Sequence, residues 1–98
     1  MHARVTTLQM DPSTLDDVTA RLESDDVPAF KRLDGFKGMT VLGDRASGKA
    51  IAVTFWDSEE AMRESEEAVK GARQRAAETG RAGEAQVERF EVILDTMA

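Results

Sequence analysis

One stretch, Lys49 to Ala68, constrains the fold more than any other part of the chain. Its first half, Ala50 to Trp56, alternates along its length and carries β-branched or aromatic residues, which predicts a β-strand. Asp57 or Ser58 can then cap a helix whose first turn is acidic, which is favourable near the positive end of a helix dipole. The stretch therefore predicts a strand that runs directly into a helix, with the single tryptophan, Trp56, at the corner.

The rest of the chain predicts three more strands and a second helical region. Ala3 to Met10 is rich in Val and Thr, which predicts the first strand, and Asp11-Pro12-Ser13 is a helix-start signal. A kinked or two-piece helix is expected from there to Gly35, because apolar residues keep a helical spacing on both sides of Pro28. The remaining two strands are predicted over Phe36 to Leu42 and over Val87 to Thr96. The second helix is predicted over Glu59 to Glu78, and a connector follows it over Thr79 to Ala85.

The predicted element order is β-α-β-β-α-β, which is typical of the ferredoxin-like, split βαβ plan. In this α+β fold an antiparallel sheet carries both helices on one face. We expect residues 1–98 to form one such domain, because a chain of 98 residues has room for one modest core.

Two predicted strands are apolar on both faces, although the helices cover only one. In the third strand Phe55 points to one side of the sheet, whereas Ala52 and Trp56 point to the other. Val92 to Leu94 is a run of consecutive apolar residues on the last predicted strand. Since an uncovered apolar face is most simply buried by a second copy of the chain, we expect a homodimer through the helix-free sheet face.

Composition excludes several classes of function. A net charge of −6 argues against non-specific nucleic-acid binding, which requires a basic surface. The absence of cysteine removes disulfides, thiolate nucleophiles and cysteine-based metal sites. The sequence shows no signal peptide and no segment of membrane-spanning length, so the expected location is the cytoplasm, with no membrane partner.

Few side chains are available for proton transfer or metal binding. The chain has no Asn, Tyr or Cys, and its one histidine, His2, is expected to lie at a sheet edge. The acidic residues between positions 16 and 26 have no calcium-loop pattern and are expected to form a solvated surface. We therefore expect neither a metal nor a cofactor.

The run GFKGMTVLGDRASGKAIAVTFWDSEEAM, residues 35–62, combines a Gly-Phe pair after a helix, a further glycine, a hairpin and a strand that ends in Phe-Trp. A Ser-Glu-Glu-Ala helix start follows. This pattern resembles the core motif of the dimeric α/β-barrel superfamily, and in particular that of the antibiotic biosynthesis monooxygenase family. The matching residues are Gly35, Phe36, Gly38, Phe55, Trp56, Ser58, Glu59 and Ala61.

The resemblance implies two sheets packed face to face in a dimer, with a pocket between the sheet and the helices of each subunit. Some family members oxidise polycyclic aromatic substrates without metal or flavin, and others degrade haem. The first group combines a tryptophan at this strand end with Asn and Tyr, and the second combines it with an Asn and a helical His. Trp56 matches both groups, whereas their other functional residues are missing from this chain.

Two hypotheses of function follow. In the first, the protein is a cofactor-independent monooxygenase of this type, and its pocket orients a small aromatic substrate of polyketide-like or quinol character and excludes water. In the second, it is a non-catalytic dimeric barrel that binds a small ligand or has a structural role. No residue is assigned as catalytic. The candidate ligand-binding residues are Trp56, Phe36, Met39, Met62, Phe90, Thr6, Thr7 and Gln9.

The candidate residues have a second interpretation. Trp56 either stacks on a flat ligand or closes the core at the corner between strand and helix. The apolar members of the set either line a pocket or belong to an ordinary core. Under the first hypothesis, Thr6, Thr7 or Gln9 on the first strand replaces the missing asparagine as a hydrogen-bond donor.

Overall fold

The computed structural model describes residues 1–97, in which four antiparallel strands form one sheet and the helices cover one of its faces. The strands are β1 (His2–Gln9), β2 (Phe36–Gly43), β3 (Lys49–Trp56) and β4 (Gln86–Glu91). The helices are α1 (Leu15–Arg21), α2 (Val27–Phe30), α3 (Glu59–Glu64) and α4 (Glu66–Gly80). The predicted α+β, ferredoxin-like order is confirmed.

The strand order across the sheet is β2-β3-β1-β4, so the two strands that precede the helical regions are central. Thr6 on β1 lies opposite Ala52 on β3 and Val87 on β4. Because side chains alternate along a strand, these residues all point toward the helices, and their sequence neighbours point to the other face. That alternation decides which residues can line a pocket beneath the helices.

The first helical region is broken, as the sequence predicts, but it ends at Phe30 and not at Gly35. A short 3-10 turn (Pro12–Thr14) leads into α1, and a π-helical turn (Leu22–Asp26) joins α1 to α2. Pro28 lies in the first turn of α2, where its missing N–H is tolerated, and the turn before it adopts the wider π geometry. The region therefore bends over the sheet.

The second helical region starts as predicted but is not continuous. Ser58 caps α3, since its side chain accepts a hydrogen bond from the N–H of Ala61 at 3.0 Å. At Ser65 the helix is interrupted, because the carbonyl of Met62 accepts side-chain hydrogen bonds from both Ser65 and Arg4 at 2.6 Å. The predicted single helix is thus two segments, and the second extends two residues further than predicted, to Gly80.

The last strand is shorter than predicted, and its extension to Thr96 is wrong. β4 ends at Glu91, because its partner β1 begins at His2 and offers almost no backbone beyond that point. Val92 makes one further hydrogen bond, from its N–H to the carbonyl of Met1 at 2.8 Å. Ile93 and Leu94 follow as exposed side chains outside the sheet, so the expected two-sided apolar strand does not exist there.

The helix-free face of the sheet nevertheless carries apolar side chains. In one row across the strands Phe90, Ala3 and Phe55 lie side by side, and the next row contains Val5 and Val53. At the edges of this face the side chains of Leu42 and Phe90 are 55% and 51% exposed. We call this surface the helix-free face. No element of residues 1–97 covers it.

Two apolar clusters lie beneath the helices on the other face. The first is centred on Trp56, Phe30 and Met62, and the second on Leu8 and Leu15. Each cluster joins strand residues to helix residues, so burial of both stabilises the packing of the helices on the sheet. No helix in residues 1–97 has both the length and the apolar character needed to cross a membrane.

Candidate ligand-binding cavity

A cavity of about 200 Å³ lies between the two apolar clusters. Strands β1, β2 and β3 form its floor, and α1, the π-helical turn and α4 form its walls. Most of its lining is aliphatic or aromatic, including Leu8, Leu15, Val18, Phe30, Met39 and Val69. Among its polar lining residues, three bear on the chemistry: Thr6, Thr54 and Arg73.

The volume sets the size of a ligand. A closed apolar cavity of roughly 150 Å³ accommodates benzene, whereas pockets for drug-sized molecules hold roughly 300–1,000 Å³. A cavity of about 200 Å³ therefore suits one ring or two fused rings, and a larger ligand must extend through its solvent-exposed edge.

Arg45 and Asp16 mark that exposed edge. Arg45, in the loop between β2 and β3, donates two hydrogen bonds to the carboxylate of Asp16 on α1, at 3.0 and 3.2 Å. The same bonds lower the pKa of the Asp16 carboxyl and raise the pKa of the Arg45 guanidinium. Both side chains are largely exposed, so the pair links the hairpin to α1 without closing the cavity.

Arg73 brings a positive charge to the apolar wall. It extends from α4, its side chain is only 16% exposed, and it lines the cavity. Its Nε and Nη2 atoms are buried without a hydrogen-bond partner in residues 1–97, although Nη2 lies 3.6 Å from Oε1 of Glu66. Because a guanidinium donates and cannot accept hydrogen bonds, a ligand group that contacts Arg73 in the cavity must be an acceptor.

Glu66 faces three arginines. Its Oε2 accepts hydrogen bonds from Arg4 at 2.8 Å and from Arg89 at 3.0 Å. Its other oxygen, Oε1, lies 3.6 Å from Nη2 of Arg73. Burial raises the pKa of Glu66, but the hydrogen bond from Arg89 and the three positive charges outweigh it, so the pKa lies below its ordinary value. One carboxylate therefore faces three guanidinium groups, and the excess charge is positive.

Arg4 is completely buried beneath the break between α3 and α4. Besides Glu66 and the carbonyl of Met62, it donates to Oγ of Ser65 at 3.1 Å, and its guanidinium carbon lies 5.9 Å from the ring centroid of Trp56. Burial lowers the pKa of Arg4, and the charge of Glu66 opposes that effect. Arg4 thus ties the broken helix to the centre of the sheet.

Trp56 is fully buried and does not line the cavity. Its ring packs edge-on against Phe36, with centroids 5.3 Å apart, and its Nε1–H donates to Oγ1 of Thr54 at 3.0 Å. Thr54 does line the cavity. The tryptophan is therefore linked to a cavity-lining residue by this hydrogen bond and does not present the face of its ring to the cavity.

The structure separates the predicted ligand-binding residues into three places. Thr6 and Met39 line the cavity. Trp56 and Met62 lie in the neighbouring core cluster, and Phe36 packs against it. Strand alternation turns the other three away from the helices, and these are Thr7, Gln9 and Phe90.

Thr54 and Arg73 were not among the residues predicted from the sequence, and together with Thr6 they supply donors to the cavity. Thr54 precedes Trp56 by two positions on β3 and so shares its face. Arg73 follows Val69 by one helical turn, which places it beside the apolar surface of α4. Within residues 1–97 there is no cluster of His, Cys, Asp and Glu side chains that suits a metal ion.

Comparison with other proteins gives relatives and structural neighbours, while no protein-family model matches the chain. The chain is 39% identical over 94 residues to the uncharacterized protein Rv2558 of Mycobacterium tuberculosis, which covers 96% of this chain and 39% of that protein. It is 38% identical over 78 residues to the uncharacterized protein Rv2557 of the same organism, covering 80% of this chain and 35% of the relative. The chain thus spans about two fifths of the length of these relatives.

Several solved structures share the fold, and three of them are described below. The ActVA-Orf6 monooxygenase of Streptomyces coelicolor, in complex with nanaomycin D, has a TM-score of 0.80 at 16% identity and covers 99% of this chain and 91% of that one. SnoaB, a cofactor-independent oxygenase from Streptomyces nogalater, has a TM-score of 0.64 at 20% identity, covering 97% and 95%. The heme-degrader MhuD of M. tuberculosis, with two hemes in its active site, has a TM-score of 0.71 at 22% identity, covering 99% and 100%. The resemblance to antibiotic biosynthesis monooxygenases is confirmed at the level of the fold.

Proposed function

We propose that this protein is a member of the antibiotic biosynthesis monooxygenase family and that it uses molecular oxygen to oxidise a small hydroxylated aromatic compound in its cavity. Since one fold serves many functions, the proposal depends on the cavity and not on the fold alone. The observation that carries it is the position of Arg73, a mostly buried cation on an apolar wall whose Nε and Nη2 atoms make no hydrogen bond within residues 1–97.

The charge of Arg73 suits a substrate that ionises on one oxygen. A phenol has a pKa of about 10 in water, and an adjacent positive charge lowers such a pKa by roughly one to three units. The apolar lining strengthens the attraction between the phenolate and Arg73, and this attraction must outweigh the effect of burial, which by itself raises the pKa of a phenol. The cavity thus favours an electron-rich phenolate or enolate, which is the form that reacts with oxygen.

The overall reaction needs no other reductant. In an anthrone-like substrate the reactive methylene carbon becomes a carbonyl, one atom of O₂ enters the product and the other leaves as water. The four electrons that reduce O₂ come from that carbon. Both hydrogens of that carbon end in the water molecule, so the proton released on ionisation is taken up again when the second oxygen atom leaves as water. The residues of the chain bind the substrate, favour its ionised form and exclude bulk water.

Oxygen uptake tests the proposal, with 1,8-dihydroxyanthrone as a substrate whose third ring would extend through the exposed edge of the cavity. In the presence of a chelator, the protein should accelerate oxygen consumption and quinone formation above the rate measured without protein. Arg73→Met should reduce that acceleration by at least about tenfold, the factor for loss of one charged hydrogen bond. Lys70→Met is the matched control, because Lys70 is an exposed cation on the same helix.

Saturable binding without accelerated uptake would instead support the second function, a non-catalytic small-ligand-binding barrel. Haem degradation is not proposed, because the helical segments α3 and α4 contain no histidine.

The helix-free face supports a homodimer. Its apolar rows, from Phe90 to Phe55 and from Val5 to Val53, form a contiguous surface that a second copy can bury around a twofold axis. At about 25 cal/mol per Å², burial of each few hundred Å² of this surface contributes several kcal/mol to association. The two sheets then pack face to face, and each cavity stays beneath its own helices.

A further inference from the structure

We propose that Thr54 is a specificity-determining hydrogen-bond donor in the cavity and that Trp56 is the positioning residue that holds its hydroxyl. The proposal deepens the proposed function, since it names what the cavity recognises in its ligand. It also assigns the tryptophan a role other than stacking on the ligand.

The indole N–H of Trp56 makes its hydrogen bond inside the protein. The side chain is fully buried, so this N–H needs an acceptor inside the protein. The acceptor is Oγ1 of Thr54 at 3.0 Å, two residues earlier on the same face of β3. This is the only hydrogen bond recorded at that hydroxyl within residues 1–97.

That bond determines what Thr54 can do. A hydroxyl offers one donor and two acceptor sites, whereas an indole nitrogen can only donate. The bond therefore uses an acceptor site and leaves the proton of Thr54 free for another partner. Because Thr54 is 4% exposed and lines the cavity, the partner that the proposal assigns to this proton is a group inside the cavity.

The hydroxyl is also held in one orientation. Threonine is stiff about χ1 because it is branched at Cβ, and the buried indole fixes the position of the oxygen. In register with it across the sheet lie Met39 on β2 and Arg4 on β1. Arg4 donates away from the cavity, to groups of α3 and α4, so it does not compete for the Thr54 proton.

Thr54, Thr6 and Arg73 bring hydrogen-bond donors to the polar part of the inner cavity. Such a set selects a ligand that presents acceptor oxygens: an ionised oxygen toward Arg73 and a carbonyl or phenolic oxygen toward Thr54. A compound of the same shape without an acceptor leaves the threonine proton unpaired. The ligand class is therefore a small bicyclic aromatic ketone or phenol.

The test compares two probes of equal shape, 1-tetralone, which has a carbonyl, and tetralin, which lacks it, by titration calorimetry. The wild-type protein should bind 1-tetralone at least about tenfold more tightly, the factor for one hydrogen bond. Thr54→Val should abolish that preference and leave tetralin binding unchanged, and Thr54→Ser should restore it.

The Trp56→Phe variant shows whether Trp56 positions the Thr54 hydroxyl or stacks on the ligand. It should reduce the 1-tetralone preference and leave tetralin binding unchanged, and in the Thr54→Val background it should have no further effect. A stacking role predicts the opposite, an equal loss for both probes that persists in the double variant. If Trp56→Phe does not fold, the comparison of Thr54→Val with Thr54→Ser decides the role of the hydroxyl.

Two results would overturn the proposal in distinguishable ways. If wild-type protein binds both probes equally and Thr54→Val changes nothing, Thr54 is not a donor to ligands, and the oxygen-uptake result stands by itself. If neither probe binds, the cavity is not a ligand site and the proposed function fails with it.

Discussion

Arg4 and Glu66 form an ion pair of 2.8 Å in which the arginine side chain is completely buried and the glutamate is 35% exposed. The two residues lie 62 positions apart and connect the central strand to the start of α4. A buried guanidinium requires such a partner, because its transfer from water is costly when its charge is not compensated. Loss of Glu66 should therefore affect the whole fold.

Glu66→Gln should lower the free energy of unfolding by about 3 kcal/mol, within the range for removing one partner of a buried pair. The amide keeps the size of the side chain but leaves three arginines without a compensating charge. Chemical denaturation measures the change. Glu67→Gln is the matched control, because Glu67 is exposed on the first turn of the same helix, and it should change stability by less than about 0.5 kcal/mol.

The same glutamate predicts a dependence of stability on pH. The pKa of Glu66 is lowered in the folded protein, so its stabilising contribution is present above the ordinary glutamate pKa of about 4.3. The contribution is lost as the pH falls through that value toward the folded pKa. The pKa values of three aspartates, Asp11, Asp16 and Asp44, are also lowered in the folded protein. These groups therefore add to the loss of stability of the wild-type protein at low pH.

The difference between wild type and Glu66→Gln isolates the contribution of Glu66. That difference in unfolding free energy should be constant from pH 6 to pH 8, by the linkage argument. It should shrink as the pH is lowered below about 4.3. A difference that stays constant down to pH 2 would show that Glu66 does not titrate with folding.

Gly35 should not tolerate a side chain. Its φ is +79°, and a Cβ built on it would lie 2.6 Å from Cβ of Ala61. Gly35→Ala should therefore cost at least about 2 kcal/mol of stability, from the left-handed conformation and the clash together. Gly83→Ala is the control, because nothing lies within 4 Å of that position. Equal melting temperatures of the two variants would contradict the prediction.

Val53→Glu should dissociate the proposed homodimer. Val53 lies on the helix-free face of a central strand, and a twofold interface brings two such glutamates into one apolar surface. The dissociation constant should rise by at least about 100-fold, a cost of roughly 3 kcal/mol. Sedimentation equilibrium measures it. Ala68→Glu adds the same charge on the exposed surface of α4 and should leave the assembly unchanged.

Much of the fold was predictable because it depends on neighbouring residues. The alternation of Ala50 to Trp56 and the cap at Ser58 identified β3 and the start of α3, and the structure has both. Pro28 indicated the break in the first helical region. Each of these signals comes from a backbone preference within a few positions of sequence, so no tertiary contact is needed to interpret it.

The interior of the cavity was less predictable. Alternation along β1 put Thr6 and Thr7 on opposite faces, but which face the helices cover is decided only when the chain packs. Trp56 had two interpretations until its indole was seen to donate to Thr54. Nothing in the sequence distinguishes Arg73 from the other basic residues of the second helical region. Its buried nitrogens lack a hydrogen bond within residues 1–97 because Glu66 already accepts hydrogen bonds from Arg4 and Arg89.

The sequence by itself determined the order of the strands and helices, the main caps and breaks, and the absence of the Asn, Tyr and helical His residues that related chemistries use. Only the tertiary structure decided where β4 ends, which charge compensates Arg4 and which donors face the cavity. The reason is physical: backbone preferences act over a few residues, whereas strand pairing, burial and charge compensation depend on groups that folding brings together from distant parts of the chain.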